Sequence, residues 1–304
     1  MSAIKIYDYE PKKALCGKRV IALGFFDGVH RGHREILKTA VTEAKALGAI
    51  ASVFTFTSEN SKFKGEKRIY SSEKKISLIS ECGIDEIIIA DFEAVKSISA
   101  EDFISHTLIE DLGCVLAVSG KDFRFGYKAK GDTELLGKII EEFGARLICP
   151  SDVEEDGEKI SSSKIKKLLS DGNVKKAGEL LERHYFVKSK VQRGLGLGKS
   201  FGFPTINTEI DEAEISLPNG VYKCICEIDK KNYDALTNVG VCPTVSSREK
   251  HMETYILGCN ENLYGKEILI SFLDFIRPEK KFESIESLKT QIKVDINSAF
   301  GRNE

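Results

Sequence analysis

The chain has 304 residues, 41% hydrophobic and 30% charged, with 25 glycines and 6 prolines. That balance excludes disorder and collagen-like repeats, and at about 150 residues per domain it points to two domains. Lys+Arg 45 against Asp+Glu 47 leaves a net charge of −2, without the basic surplus of chains that grip nucleic acid by its phosphates, so no nucleic-acid partner is expected. No apolar run approaches the roughly 20 residues of a membrane span. The opening MSAIKIYDYE has no apolar signal core, so a cytoplasmic location without a membrane partner is expected.

The first half alternates short apolar runs with helical patterns. Arg19 to Phe25 reads as a buried strand, and from Arg31 onward Ile36, Leu37, Ala40, Val41, Ala44 and Leu47 fall at helical spacing until Gly48. Ile50 to Phe56 is a second strand, and Ser72 to Cys82 is a helix that Gly83 ends. Asp85 to Ala90, Cys114 to Ser119 and Ala145 to Cys149 supply further strands, each after a helical stretch. Such alternation with near-continuous apolar strands predicts a doubly wound parallel sheet covered on both faces.

After Leu180 the pattern changes to short alternating strands: Phe186 to Gln192, Gly220 to Ile228, Tyr233 to Val239, His251 to Leu257 and Lys266 to Ile276. Turn signals at Pro218-Asn219-Gly220 and Tyr264-Gly265 suit an antiparallel barrel or sandwich. One helix closes the chain, with Ser284 as N-cap and Ile285, Leu288, Ile292 and Ile296 on one face. A helix-rich piece from Ser161 to Arg183 joins the halves, giving expected domains of 1–183 and 184–304. The eight cysteines are scattered, and only Cys224 and Cys226 are close. One intervening residue puts both on one strand face, poor spacing for a metal clip, so buried thiols are expected rather than disulfides or zinc.

Gly24-Phe25-Phe26-Asp27-Gly28-Val29-His30-Arg31-Gly32-His33 stands where the first strand gives way to the first helix, the place where an open parallel sheet binds its ligand. A helix N-terminus presents unpaired N–H groups and suits phosphate. His30 and His33, three apart, share a face, where two imidazoles can steady charge growing on phosphate oxygens. Gly28 and Gly32 let the backbone come close. No dinucleotide-type G-x-G-x-x-G is present, and zinc on His30 and His33 is a weak rival for want of a nearby third ligand. In the second half, Gly194-Leu195-Gly196-Leu197-Gly198-Lys199-Ser200 misses the P-loop pattern by one position, where Arg193 stands, and Phe201-Gly202-Phe203-Pro204 cannot open the helix a P-loop needs. Folding over phosphates and a flexible hairpin both suit those glycines.

His30-Arg31-Gly32-His33 resembles the H-x-G-H signature of the nucleotidyltransferases, and the longer GFFDGVHRGHREIL resembles the adenylyltransferase half of the bacterial bifunctional riboflavin kinase/FAD synthetases. Ser119-Gly120-Lys121-Asp122-Phe123-Arg124-Phe125-Gly126 with Gly131-Asp132 resembles that family's G-x-D-F-x-F-G motif. Ile160-Ser161-Ser162-Ser163-Lys164-Ile165-Lys166 resembles its I-S-S-T-x-I-R motif. Gly202-Phe203-Pro204-Thr205-Ile206-Asn207 resembles the G-F-P-T-A-N motif of riboflavin kinases. Pro218 to Tyr222, Asn238 to Gly240, Pro243-Thr244, Glu253-Thr254, Leu263 to Gly265 and Arg277 to Phe282 continue the pattern in order.

The resemblance implies a Rossmann-like nucleotidyltransferase domain followed by an antiparallel β-barrel kinase domain. Riboflavin would be phosphorylated by ATP to FMN, and FMN then adenylylated by a second ATP to FAD with release of pyrophosphate. It implies His30, His33 and Glu253 as catalytic residues. Gly24, Phe26, Gly28, Ser162, Ser163, Lys166, Gly194, Gly196, Gly198 and Lys199 would meet ATP or its phosphates. Asp122, Phe123, Phe125, Gly126 and Arg277 would line nucleotide or flavin, and Thr205 and Asn207 would hold Mg2+ that arrives with ATP. Two departures favour an alternative with a weakened adenylyltransferase half. Lys164 and Lys166 replace the usual arginines, and Phe56-Thr57-Ser58-Glu59-Asn60 stands where the family has a Pro-His-Pro element. A non-catalytic flavin- or nucleotide-sensing protein and a zinc hydrolase are the rivals from other classes.

Overall fold

The computed structural model describes residues 4–57, 67–193, 202–241, 250–259 and 261–301. The chain divides into two compact units, Met1–Ser162 and Ser163–Glu304.

In the first unit β1 (Lys5–Asp8), β2 (Arg19–Leu23), β3 (Ile50–Phe56), β4 (Glu86–Ala90), β5 (Cys114–Ser119) and β6 (Arg146–Ile148) form one sheet. Its order is β1-β4-β3-β2-β5-β6, and all these pairings are parallel. Helices α1 (Arg31–Leu47), α2 (Ser72–Ser80), α3 (Phe92–Val95), α4 (Ala100–Asp102, continued by π-helical Phe103–Asp111) and α5 (Thr133–Glu142) occupy the connections. This is the doubly wound fold that the sequence predicts. β2 and β4 are buried along their whole length, which is why they read as unbroken apolar runs. Their polar ends are buried as a pair: Arg19 Nε lies 2.9 Å from Glu86 Oε2, and Ser52 Oγ donates to the same carboxylate. On one side of the sheet Leu23, Phe54 and Ile88 pack with Phe103, Ile104, Leu108, Leu136 and Ile140.

β2 stops at Leu23, short of the expected Phe25, because the backbone turns left-handed at Phe26, with φ 55. In the first unit an edge strand and a short hairpin escape the sequence reading. β1 is an edge strand, mostly exposed, so it carries no apolar run. The hairpin of β7 (Glu154–Glu155) and β8 (Glu158–Lys159) has strands of two residues each, too short for a period to register.

The second unit begins with α6 (Ser162–Ser170), from its second residue onward, and α7 (Val174–Leu181). β9 (Tyr185–Lys190), β10 (Thr205–Glu209), β11 (Gly220–Ile228), β12 (Lys231–Val241), β13 (Lys250–Ile256) and β14 (Glu267–Pro278) follow, and α8 (Ile285–Phe300) ends the fold. The strands pair antiparallel in the order β10-β13-β12-β11-β14-β9. Just past β9, the Gln192 N–H donates to the carbonyl of Asn207 on β10 at 2.8 Å. The two outer strands thus meet and the sheet closes as the expected barrel. The units part at 162/163, ahead of the expected 183/184, because the helical linker packs on the barrel: a Cβ added to Gly172 would meet Pro218, Tyr222 and Phe275 at 3.5, 3.8 and 3.9 Å.

Tyr185, Tyr222, Phe272, Val239 and Met252 fill the barrel together with Cys224 and Cys226, both fully buried as their one-residue spacing implies. Burial raises both thiols above the ordinary cysteine value. α8 covers the outer face, packing Ile296 and Ala299 against Phe203, Val221 and Leu236. Ser284 caps it by accepting the Ser287 N–H at 3.1 Å, as expected. Ile285 is a correction: it is 44% exposed, since the first turn lies off the apolar stripe, which runs through Leu288, Ile292 and Ile296. Between them Asp295 is buried and receives the Arg277 guanidinium at 2.8–3.0 Å and the Gln291 amide at 2.9 Å. Replacing Asp295 by alanine strands the Arg277 charge and is expected to cost the barrel about 3 kcal/mol, read as a lower denaturation midpoint by circular dichroism.

Candidate functional site

The strand order fixes where the first unit binds a ligand. β2 and β5 are neighbours, yet the chain leaves β2 toward β3 on one side and β5 toward β6 on the other. The crevice beyond their carboxyl ends is the switch point of the sheet. Gly24–His30 and Ser119–Gly126 leave the sheet there. The second segment packs on α1: a Cβ on Gly120 would stand 3.7 Å from Ile36 Cδ1.

The first loop is strained where it turns. Phe26, Gly28 and Val29 have φ of 55, 84 and 43, and a β-branched residue in that region is costly. The buried Phe26 ring lies over Gly24, so closely that a Cβ there would sit 3.0, 3.1 and 3.2 Å from three ring carbons. The ring of Phe26, expected among the ATP contacts, is packed inside. His30 is the N-cap of α1: its Nδ1 accepts the His33 N–H at 3.4 Å. This bond puts the proton of a neutral His30 ring on Nε2. The His30 and His33 rings stack at 3.6 Å between centroids and 19° between planes, and Phe26 meets His33 edge-on at 5.3 Å. The expected histidine pair is thus assembled, with His30 buried and His33 partly exposed.

The third motif reaches the same loop. Ser162 Oγ donates to the carbonyl of Asp27 at 2.8 Å, and Asp27 Oδ1 accepts the Ile69 N–H at 3.1 Å. Lys159 ties the β7–β8 hairpin to the second motif, 3.0 Å from Asp122 and 2.9 Å from Asp152, while Arg31 pairs with Glu155. Within the second motif, the Phe123 and Phe125 rings stack at 5.5 Å, and Phe125 is buried against Phe103. Gly126, at φ 72, passes so close to Ala100 that a Cβ would lie 2.8 Å from its backbone. Phe125 and Gly126 are therefore framework, whereas Asp122 stands exposed at the rim. Ser163 and Lys166 lie on α6 in the second unit. Ser58, Glu59 and Asn60 lie outside the described residues.

Sequence reasoning missed Lys75. Its Nζ donates to the carbonyls of Phe25 at 3.1 Å and Phe56 at 2.6 Å and to Thr55 Oγ1 at 3.3 Å, beneath the loop. The signal was present: Lys75 stands three and four residues before Leu78 and Ile79, on the buried face of α2.

In the second unit, β10 carries Thr205 and Asn207 on one face by its period of two. Asn207 is directly opposite Glu253 on β13, which in turn is opposite Asn238 on β12. The row Asn207–Glu253–Asn238 lies on the outer face, beside the part α8 covers; the reverse face carries the buried Thr208, Thr254 and Thr237. The Glu253 side chain is 46% exposed, with His251 Nε2 3.7 Å from its Oε1. Asn238 and His251, given no role from sequence, are its flanking polar neighbours. Glu279 completes this edge, since Asn219 Nδ2 donates to it at 3.2 Å and a Cβ on Gly240 would stand 2.8 Å from its Oε1. Arg277, expected at nucleotide or flavin, directs its guanidinium to Asp295 and the Pro278 carbonyl. Gly194, Gly196, Gly198 and Lys199 lie outside the described residues. Among the described residues no group of three or more His, Cys, Asp or Glu could hold a metal ion.

Fold and sites define a two-unit protein: a doubly wound unit with a glycine-rich loop at a strand end, and a closed barrel with one carboxylate between two amides on its outer face. The FAD synthetase family matches residues 12–164, and the riboflavin kinase family matches residues 181–301. The chain is 31% identical to the bifunctional riboflavin kinase/FMN adenylyltransferase of Escherichia coli K12, over 91% of this chain and 90% of that one. It is 33% identical to the Bacillus subtilis protein of the same name, over 93% and 92%. A solved structure from Streptococcus pneumoniae, described as a macrolide-efflux protein, shares the fold at TM-score 0.88 and 28% identity, covering 97% of this chain and 99% of its own. Among the described residues no helix here is long and apolar enough to cross a membrane. The chain belongs to the bifunctional riboflavin kinase/FMN adenylyltransferase family.

Gly24→Ala drives a methyl against the buried Phe26 ring. It is expected to cost the first unit about 1–3 kcal/mol, measurable as a lower unfolding midpoint, with the second unit's transition unchanged.

Proposed function

We propose that this chain makes FMN and then FAD: it phosphorylates riboflavin with ATP, and adenylylates FMN with a second ATP. We assign the kinase step to the barrel and the adenylyl step to the doubly wound unit, following the family matches at 181–301 and 12–164. The observation that carries the reading is the pair of separate, chemically different sites, stacked imidazoles at a helix N-terminus and an exposed carboxylate among amides.

In the adenylyl step an oxygen of the FMN phosphate forms a bond to the α-phosphorus of ATP, and the bond to pyrophosphate breaks. That nucleophile is already ionised, so no general base is required. His30 and His33 steady the charge on the phosphate oxygens, beside the backbone N–H groups that open α1. Gly24 and Gly28 leave room for the phosphates, Ser162 holds the loop from behind through Asp27, and Asp122 and Phe123 form the rim of the nucleotide site.

In the kinase step the ribityl hydroxyl oxygen attacks the γ-phosphorus and ADP leaves. Glu253, its side chain 46% exposed, takes the hydroxyl proton. Thr205 and Asn207 are oxygen donors of the kind Mg2+ takes, and they would hold the ion brought by ATP, which supplies charge neutralisation at the phosphates.

Chromatography of the products tests this. Wild type with riboflavin and Mg·ATP should yield FMN and then FAD. Glu253→Gln should slow FMN formation by about 100-fold or more yet still convert supplied FMN to FAD. His33→Ala should do the reverse, with a loss of about 100-fold in FAD formation. FAD from FMN at the wild-type rate in His33→Ala would remove the imidazole pair from the mechanism.

A further inference from the structure

We propose that Lys75 is a positioning residue for adenylyl transfer: its ammonium clamps the Gly24–His30 loop to the end of β3 and so sets where the histidine pair stands. This rests on the assignment of that step to the first unit. The last rung shared by β2 and β3 beyond their own ladder is the Gly24 N–H to the Phe54 carbonyl, at 3.3 Å. Past it, side chains make the link. Thr55 Oγ1 donates to the Phe25 carbonyl at 3.2 Å, and Lys75 Nζ donates to that same carbonyl, to Thr55 Oγ1 and to the Phe56 carbonyl. An ammonium has three N–H donors, and here three acceptors meet it.

The clamp also grips the loop by its ring. Lys75 Nζ lies 4.3 Å from the Phe25 centroid and the Arg68 guanidinium 4.8 Å, close enough for cation–π attraction, which burial strengthens. Lys75, Arg68 and Asp27 are all under one-tenth exposed. Asp27 is the residue whose backbone carbonyl Ser162 holds and whose carboxylate takes the Ile69 N–H. Among the described residues, the charged groups facing Lys75 are Asp27 from the loop and Arg68 from the segment before α2, while β3 presents the Thr55 hydroxyl and the Phe56 carbonyl.

Burial, opposed by Asp27 and reinforced by Arg68, brings the Lys75 pKa down to about 7. Losing the proton removes one of three donors and the charge that strengthens the other two. The sign for stability is the opposite. The folded chain releases this proton near 7 and the unfolded chain keeps it to near 10.5, so the unfolded state binds more protons between those values and stability rises with pH across the window. A merely structural lysine would therefore give a chain that gains on alkalinisation. A positioning lysine gives one whose adenylyl rate falls while its stability climbs.

The test measures FAD formation from supplied FMN and Mg·ATP in the full chain between about pH 6 and 9. Wild type should lose kcat above about pH 7, while its unfolding midpoint rises. Lys75→Met should lower kcat by about 100-fold and leave KM for ATP and FMN within about threefold, with the alkaline fall gone. Lys75→Arg, charged throughout, should hold kcat within about tenfold of wild type and stay flat across the range. An alkaline fall that persists in Lys75→Met belongs to another group and overturns the proposal. So does a loss confined to KM, or Lys75→Met within about threefold of wild type. If Lys75→Met removes the first unit's unfolding transition, Lys75→Arg decides alone: a flat profile supports the clamp and a falling one refutes it. Wild type that makes no FAD at any pH refutes the assignment of adenylyl transfer itself, and the clamp with it.

Discussion

The hydrogen bond from Ser162 Oγ to the Asp27 carbonyl is the contact on which the first unit's site depends. The loop between β2 and α1 contains two non-glycine residues in left-handed backbone, Phe26 and Val29, and such geometry persists only where neighbours over-determine it. Asp27 stands between the two. Its carbonyl is held by the start of α6, its carboxylate by the Ile69 N–H, and the loop's ring Phe25 by Lys75 and Arg68. Strain at the turn and restraint on either side of it have one result: the histidine that caps α1 is delivered to a fixed place, with its partner stacked on it.

The barrel places its groups by a different constraint, the period of two. Asn207, Glu253 and Asn238 belong to three strands and lie far apart in sequence, yet antiparallel register sets them side by side. The alternate positions fill the interior with Thr208, Thr254 and Thr237. A one-residue slip of β13 would therefore bury Glu253 and expose Met252 together, a change the packed interior resists. Closure through Gln192 and Asn207 fixes the register at the strand that carries Thr205 and Asn207. The bidentate Arg277–Asp295 pair fastens α8 over the neighbouring part of the same face.

Much of this was legible in the sequence, and what was not has physical reasons. The buried strands β2 to β5 announced themselves as apolar runs because both their faces are covered. The histidine motif announced itself by its glycines, and those at Gly24 and Gly32 proved to be required by the rings of Phe26 and His30. Edge strand β1 and the short hairpin could not be seen, since neither has a buried period. β10 was read as motif rather than strand because Gly202 and Pro204 precede it and only five residues pair. Ile285 was assigned to the apolar stripe by its spacing alone, and spacing carries no information about where the partner sheet ends. Phe26, Phe125 and Gly126 belong to the right motifs but serve as framework, a distinction that depends on tertiary contacts. Lys75 was hidden because a charged residue on a helix normally faces solvent.

The two sites differ in character as their two nucleophiles do. A phosphate monoester reaches the adenylyl site already anionic, so that site needs donors and has no use for a carboxylate beside the reacting atoms. His30 and His33, a helix N-terminus and backbone amides are what a parallel sheet offers at a strand end, and the adenylyl step proposed above draws on such donors. An alcohol reaches the kinase site protonated, so a base is required. Glu253, the base proposed above, has nearly half of its side chain exposed. A strand face provides this directly, because alternate residues point outward whatever the interior demands. The division into two folds thus follows the chemistry: charge-stabilising donors from loops at strand ends in one unit, and a solvated base on a strand face in the other.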